Sequence, residues 1–406
     1  MSSVNILVSG WFGCGNAGDD AILEGTAKTI RSLGVPAEMA VLTYDSGSPP
    51  QVPGTTVHPH LPSGPVRGTL SLLDGSLSRT MSAFRWADIF LLGGGGFLSD
   101  WQGEAPWLWL RQLALAKFLK KRTMVFGVGA GPFSTGKGKC LSRNLIDRFA
   151  DRVTVRDERS KEWLHDIGIK KEVFVSGDPS LSLSLEGNEG GRLLDGLHPP
   201  GVPVVGINVI PIFSTKAWGR RTDRHERMTR WVADTVSFII DDLGCRVLGI
   251  PFMDTDRYFM QEIASDLARE EFTVLPREVP PLTLLSSYGQ FKAFLGMRYH
   301  SLLFSCLAAT PFYGIIYNHK GKELVKTVGV EEFSQEIGDG VQAGNRDLDY
   351  PSVKDGLQRL IAVSDEVKKH IGTGTTRLVK RERANSEILG SMAQSVMARS
   401  MAEGKS

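Results

Sequence analysis

The clearest chemical signal in this chain comes from three basic side chains close to the end of an apolar run. The segment Phe294-Leu-Gly-Met-Arg-Tyr-His300 closes a β-type run with the guanidinium of Arg298 and the imidazole of His300, and the ammonium of Lys320 follows. Arg298 and His300 stand two positions apart, a spacing that puts both side chains on one face of an extended strand. The residues from Ser301 onward read as a helix, so the group sits where a strand hands over to a helix. In open α/β sheets that edge is where ligands bind, and a helix N-terminus there favours anions. Two cations around a titratable imidazole point to an acidic, phosphorylated substrate.

A second set of candidates lies in glycine-rich strand ends. Gly10-Trp-Phe-Gly-Cys-Gly-Asn-Ala-Gly-Asp-Asp20 falls between the first strand and the first helix, and its glycines permit tight turns and close approach by a ligand. The dinucleotide fingerprint is not matched: the glycine spacing is wrong, and Asp19 and Asp20 place negative charge where a pyrophosphate would lie. Two readings stay open for these carboxylates. They cap the helix, or Asp19 faces a cleft and handles a sugar hydroxyl. Gly93 to Gly96 and Gly127-Val-Gly-Ala-Gly-Pro132 also follow β runs, which favours a backbone-lined pocket. Val155-Arg156-Asp157 ends another run with a charge; Arg156 either pairs with Asp157 or Glu158 at the surface or joins a site. Asp178, before Pro179, reads as structural.

The elements that must position these residues alternate throughout. Strands are expected at Ile6 to Val8, Glu38 to Thr43, Ile89 to Leu92, Met124 to Val128, Val153 to Val155 and Val173 to Val175, with helices between them at Asp19 to Ser32, Ala105 to Lys121, Leu141 to Phe149 and Arg159 to Asp166. Asp45 to Arg67, rich in Pro, Gly and Ser, reads as a long loop. A second set follows, with strands at Val204 to Val209, Arg246 to Ile250, Thr273 to Leu275, Ala293 to Leu295 and Phe312 to Ile316. Its helices would cover His225 to Leu243, Arg257 to Glu270, Leu282 to Tyr288, Ser301 to Ala308 and Lys322 to Val328. This alternation predicts an α/β protein of two Rossmann-like domains facing a cleft. The boundaries are 1–185 for the N-terminal domain, 186–203 for a linker, 204–350 for the C-terminal domain, and 351–406 for a helical extension. The tail from about Thr373 to Met397 either packs on the body or binds a partner.

Composition narrows the class. The 406 residues exceed one ordinary core, and 41% hydrophobic with 23% charged residues is globular composition. A net charge of +2 argues against bulk electrostatic binding of nucleic acid. No apolar run approaches the roughly 20 residues of a membrane span. The four cysteines are scattered, so neither a zinc site nor a disulfide framework is indicated. The chain opens directly into Val4-Asn-Ile-Leu-Val-Ser-Gly10 without a basic leader, so a cytoplasmic protein is expected.

Taken together, GWFGCGNAGDDAIL, ADIFLLGGGGFLSD, FGVGAGP, VTVRDERS, SGDPSL and MRYHSLLFSCLAATPFYGIIYNHK resemble the polysaccharide pyruvyl transferase family over most of residues 4–330. The resemblance implies a GT-B-type fold. It also implies transfer of the enolpyruvyl skeleton of phosphoenolpyruvate onto two hydroxyls of a sugar, giving a cyclic ketal and phosphate with no cofactor and no metal. It puts Arg156, His300 and Lys320 on phosphoenolpyruvate, with Arg298 beside His300. Asn318-His319-Lys320 departs from the Asp-X-Lys often found in the family, which leaves the partner that orients Lys320 open, and Asp20 stands where a glutamate is usual.

Under that reading, an imidazole with its pKa near neutrality is suited to protonate the methylene carbon, so His300 is either the acid or a hydrogen-bond donor to phosphate. Asp19 would be the base on the acceptor hydroxyl. The acceptor side is assigned to Asn16, Asp19, Gly95, Trp101 and Trp218, the last in a basic cluster with Arg220 and Arg221. His58, His60, Trp107 and Trp109 are further aromatic candidates, with packing the ordinary role of Trp109. Partners would be phosphoenolpyruvate and a glycan or lipid-linked oligosaccharide, with at most peripheral contact to the inner face of the cytoplasmic membrane; a homo-oligomer is compatible with the sequence. The competing functions are a nucleotide-sugar-dependent GT-B glycosyltransferase and a non-catalytic glycan-binding protein on the same scaffold.

Overall fold

The computed structural model describes residues 3–44, 52–100, 105–185, 187–199, 201–214, 222–276, 279–337 and 348–402. The chain divides into two compact units, Met1–Leu183 with Leu378–Ser406, and Ser184–Arg377.

The first unit runs β1 (Val4–Ser9), α1 (Ala17–Arg31), β2 (Ala37–Thr43), β3 (Thr55–Pro59), α2 (Pro65–Leu73), α3 (Ser76–Trp86), β4 (Ile89–Gly93), α4 (Ala105–Phe118), β5 (Arg122–Val128), α5 (Gly136–Phe149), β6 (Arg152–Val155), α6 (Glu158–Asp166) and β7 (Val173–Val175). Its seven strands are ordered β3-β2-β1-β4-β5-β6-β7 and every pairing is parallel. Parallel strands covered on both faces require apolar residues at odd and even positions alike. Ile6, Val8, Met39, Val41, Ile89 and Leu91 pack on one face with Ile22 and Leu23 of α1. Leu7, Ala40, Leu42, Phe90 and Leu92 pack on the other with Phe84 of α3 and Trp109, Leu110 and Leu113 of α4.

The second unit runs α7 (Glu189–Asp195), β8 (Val204–Asn208), α8 (Thr222–Asp241), β9 (Arg246–Gly249), α9 (Asp254–Leu267), β10 (Phe272–Val274), α10 (Pro281–Tyr288), β11 (Ala293–Gly296), α11 (Tyr299–Leu307), β12 (Phe312–Ile316), α12 (His319–Val328), β13 (Ser334–Glu336) and α13 (Tyr350–Ala362). Its six strands are ordered β10-β9-β8-β11-β12-β13, again all parallel. The last helix, α14 (Ser364–Ala402), starts in the second unit and from Leu378 belongs to the first.

Three expectations change. Of the long loop expected from Asp45 to Arg67, residues 45–51 lie outside the described residues. Within the remainder, Thr55–Pro59 forms β3 and Pro65 opens α2. An edge strand pairs on one side only, so it tolerates the proline and the weak alternation that disguised it. The segment taken as a linker, 186–203, carries α7, whose Gly190 N–H donates to Ser286 Oγ of α10 at 2.6 Å. The extension expected at 351–406 divides, its last part belonging with the first unit. Its tail packs on the body: Leu389, Met392 and Ala393 of α14 are buried in the core that contains Val4, Ile6 and Val8. Among the described residues no helix is long and apolar enough to cross a membrane.

α14 is pinned by polar contacts as well. Thr154 Oγ1 of β6 donates to Asn385 Oδ1 at 2.7 Å and accepts from Gly127 N–H at 2.8 Å, while Asn385 Nδ2 donates to the Gly177 carbonyl at 3.3 Å. One turn earlier, Glu382 is buried beside Gly177, and burial with the Asp178 carboxylate nearby raises its pKa to about 7 against hydrogen bonds that oppose the rise. Asn385→Ala leaves the Thr154 hydroxyl with only a long 3.4 Å acceptor at the Val125 carbonyl and the Gly177 carbonyl with only the Ser176 hydroxyl at 3.4 Å, and should cost about 1–3 kcal/mol in urea unfolding of the first unit. A carboxyl with a raised folded-state pKa stabilises most below its unfolded value near 4.5 and loses that contribution as pH rises towards 7. Glu382→Gln should therefore abolish a decline of about 2–3 kcal/mol between those pH values, and an identical pH profile for both proteins would refute the assignment.

Candidate functional site

Each unit gathers its candidate residues at the C-terminal edge of its sheet. In the first unit the N-cap of α1 is Asn16, whose Oδ1 accepts from Gly18 N–H at 3.0 Å, while its Nδ2 donates to Asp19 Oδ2 at 2.6 Å. The capping expected of the aspartates thus falls to Asn16, and Asp19 is held as its partner in the first turn. Asp19 Oδ1 lies only 3.0 Å from where a Cβ on Gly95 would stand, and Gly95 has φ +90°, so both space and backbone favour glycine there. The Gly95 carbonyl accepts from Gly129 N–H at 2.8 Å. Across Gly129 lies the Arg156 guanidinium, with Cζ 2.7 Å from the position of an added Cβ. Asp19, Gly95, Gly129 and Arg156 therefore form one line across the ends of β1, β4, β5 and β6.

Arg156 is not the surface residue that a pairing with Asp157 suggested. Its side chain is 2% exposed and stands 3.4 Å from both Asp157 and Asp178. Asp178 also accepts from Ser180 N–H and Oγ, which makes it the structural residue expected and a counter-charge besides.

In the second unit β11 ends at Gly296, Arg298 is the N-cap of α11, and His300 lies in its first turn. The expectation that Arg298 and His300 share one face of a strand is therefore corrected, because two-residue alternation ends with the strand. The Arg298 guanidinium instead makes a two-point pair with Asp256 of α9, at 2.6 Å from Nε and 2.5 Å from Nη2, and its backbone N–H donates to Asn208 Oδ1 at 3.0 Å. Asp256 is fully buried and also accepts from Phe252 N–H at 3.2 Å. Much of the Arg298 charge is thus balanced inside the unit.

β12 lies beside β11 in register, Gly296 against Gly314, so the helix that follows it opens next to α11. Asn318 is its N-cap, accepting from Gly321 N–H at 3.0 Å, which explains the asparagine where an aspartate was anticipated. His319 and Lys320 are the first two residues of α12, which starts three residues earlier than expected. His300, His319 and Lys320 are half-buried and sit in the first turns of two helices, where backbone N–H groups and the helix dipole attract anions.

Trp101 and Trp218, with Arg220 and Arg221, lie outside the described residues. Trp109 is buried, as packing demands, and Trp107 is exposed. Asp256 escaped the sequence reading, although an acidic residue in the first turn after the β9 run occupies the same sheet edge as Arg298. Among the described residues no group of three or more His, Cys, Asp or Glu could hold a metal ion.

A model of the polysaccharide pyruvyl transferase family matches residues 16–319. The chain belongs to that family. The match includes Asn16, Asp19, Gly95, Arg156, Arg298 and His300 and stops one residue short of Lys320. No curated protein matches this pyruvyl transferase family member. Solved structures show the same fold at low identity. A putative UDP-N-acetylglucosamine 2-epimerase from Listeria monocytogenes is 11% identical with TM-score 0.62, covering 100% of this chain and 98% of its own. Anabaena HepE in complex with UDP and glucose is 14% identical with TM-score 0.57, over 95% and 99%. A sucrose-phosphate synthase from Thermosynechococcus elongatus is 12% identical with TM-score 0.56, over 98% and 100%. The fold is of the GT-B type, two Rossmann-like units with a C-terminal helical segment.

Removing one partner of a buried ion pair leaves a charge without compensation. Asp256→Ala should therefore destabilise the second unit by about 3–5 kcal/mol in urea unfolding. A midpoint equal to that of the wild type would show that the pair does not hold the start of α11.

Proposed function

We propose that this member of the pyruvyl transferase family moves the pyruvyl group of phosphoenolpyruvate onto two hydroxyls of a glycan sugar, forming a cyclic ketal and releasing phosphate. Within the second unit, the observation that carries the reading is the pair of neighbouring helix N-termini bearing His300, His319 and Lys320. Phosphoenolpyruvate has a phosphate and a carboxylate, and such termini suit both oxyanions. Lys320 and the first-turn amides of α11 and α12 are assigned to the phosphate, and Arg298 contributes through the anchored start of α11. The family resemblance is the ground on which Arg156 too is assigned to phosphoenolpyruvate.

In this proposal His300 delivers a proton to the methylene carbon, and C2 takes on oxocarbenium character. A sugar hydroxyl attacks C2 while Asp19 accepts its proton. The C2–O bond to phosphate then breaks, phosphate keeping the electron pair, and the second hydroxyl closes the ring. Of the two hydroxyl protons, one is matched by the new methyl hydrogen and the other leaves on phosphate. No cofactor or metal enters. Phosphoenolpyruvate as donor places the reaction in the cytoplasm, with at most peripheral contact to the membrane carrying a lipid-linked acceptor.

Phosphate release from phosphoenolpyruvate in the presence of candidate glycans tests the reading, because a glycosyltransferase of this fold would consume nucleotide sugars and release none. His300→Ala and Lys320→Ala should each lower kcat/KM at least about a hundredfold, the scale of a lost general acid or of a lost charged contact in the transition state. Consumption of UDP-sugars alone would sink the proposal. Arg156→Ala should raise the KM for phosphoenolpyruvate roughly ten- to a hundredfold, the equivalent of the about 1.5–3 kcal/mol typical of a lost hydrogen bond to a charged group. An unchanged KM would restrict Arg156 to its internal pairing with Asp157 and Asp178.

A further inference from the structure

A cluster of rings in the first unit has no part in the chemistry above. Trp109 is its centre: Phe97 stacks on it at 4.2 Å between ring centroids, while His60, Tyr44 and Trp11 meet it edge-on at 5.3, 5.8 and 5.9 Å. Tyr44 stacks on His60 at 3.9 Å and touches Trp11 at 5.1 Å. These residues follow the ends of β1, β2, β3 and β4, so the cluster occupies the same sheet edge as Asp19.

Most of the cluster is closed. Gln112 Nε2 lies 3.2 Å from His60 Nε2, Ser9 Oγ donates to Gln112 Oε1 at 2.8 Å, and His60 Nδ1 lies 3.0 Å from the Leu61 carbonyl. The ring is therefore satisfied as the neutral tautomer protonated at Nδ1, and burial pushes its pKa down to about 4. The Arg111 guanidinium is spent on the Leu61 and Pro62 carbonyls. Two features are not closed. Trp11 keeps 38% of its surface exposed. The Tyr44 hydroxyl is buried yet has no hydrogen-bond partner among the described residues, and burial raises the phenol pKa, so its proton stays on. Buried phenols ordinarily find a partner.

We infer that Trp11 and Tyr44 form a platform for a neutral sugar ring. A pyranose has an apolar C–H face that packs on an aromatic ring and a rim of hydroxyls able to accept from a buried phenol. The imidazole is neutral, and of the two guanidiniums that act on Tyr44, Arg111 is already engaged and Arg67 is exposed to screening solvent, which suits an uncharged ring better than a phosphate. The inference rests on the reading of the chain as an enzyme acting on glycans and assigns the acceptor sugar to these two side chains. Trp11 packs on the ring and Tyr44 donates to one hydroxyl.

Saturation-transfer NMR tests this with the full chain, without phosphoenolpyruvate, using the methyl β-glycosides of galactose, glucose and N-acetylglucosamine, with uridine as a flat aromatic control. At least one glycoside should receive saturation on one ring face. Trp11→Ala should reduce its binding at least about tenfold and Trp11→Phe should restore it, and Tyr44→Phe should weaken it about tenfold, as loss of one hydrogen bond does. Tyr44→Phe removes only an unpaired hydroxyl, so its melting temperature should not fall, which separates lost binding from lost folding. Binding of uridine alone, no glycoside signal with the wild type, or equal binding by Trp11→Ala overturns the inference. Glycoside binding without phosphate release from phosphoenolpyruvate would leave the platform standing and defeat the proposed reaction; phosphate release with normal acceptor KM in Trp11→Ala would do the reverse.

Discussion

Parallel strand pairing is the constraint on which the rest of this molecule depends. When every strand in a sheet points the same way, every strand end falls on one edge, and whatever follows a strand is delivered there. Both sheets add a second condition, since strand order reverses between β1 and β4 in one and between β8 and β11 in the other. At such reversals the flanking connections leave to opposite sides and open a crevice at the strand ends. The loop carrying Asn16 and Asp19 follows β1, and the loop carrying Gly95 follows β4. Asn208 ends β8, and Arg298 follows β11. Registers such as Ile6 against Ile89 and Asn208 against Gly296 bring together residues that are more than eighty positions apart in the chain.

The two edges manage charge differently. In the first unit a buried guanidinium sits between two carboxylates, packed flat on a glycine that has no side chain to keep it away. In the second, a guanidinium at a helix start is locked to a buried carboxylate, so the positive character of that edge resides mainly in the backbone dipoles of α11 and α12 and in Lys320. Buried ion pairs contribute little net stability, but they fix geometry because their alternatives are costly. The Asp256–Arg298 pair serves in that way, holding the entry to the helix that carries His300.

Much of the fold was legible because strands buried on both faces are nearly continuous apolar runs, as at Ile89 to Leu92 and Phe312 to Ile316, and helices of ordinary length separate them. What escaped was local. Thr55–Pro59 is an edge strand with a proline at its end, and α7 is a single short helix in a glycine-rich stretch. That Arg298, His300 and Lys320 follow neighbouring strand ends was legible from residue type and order, but their geometry was not. Spacing in sequence implies a shared face only while the strand lasts, and this strand stops two residues before Arg298. The partnership of Asp256 with Arg298, and of Tyr44 with His60 and Trp11, is set by which strands become neighbours, and no single segment contains that information.

The burial of Leu389, Met392 and Ala393 against β1 and its neighbours bears on how the protein is made. A ribosome delivers Val4 to Ser9 first and the closing turns of α14 last, after all of the second unit has emerged. The part of the earlier sheet's face beside α1 must therefore wait, apolar and exposed, while the later unit is synthesised, and nascent chains in that state invite aggregation. Folding order here runs against the order of translation, and chaperone dependence should concentrate on the half that is born first.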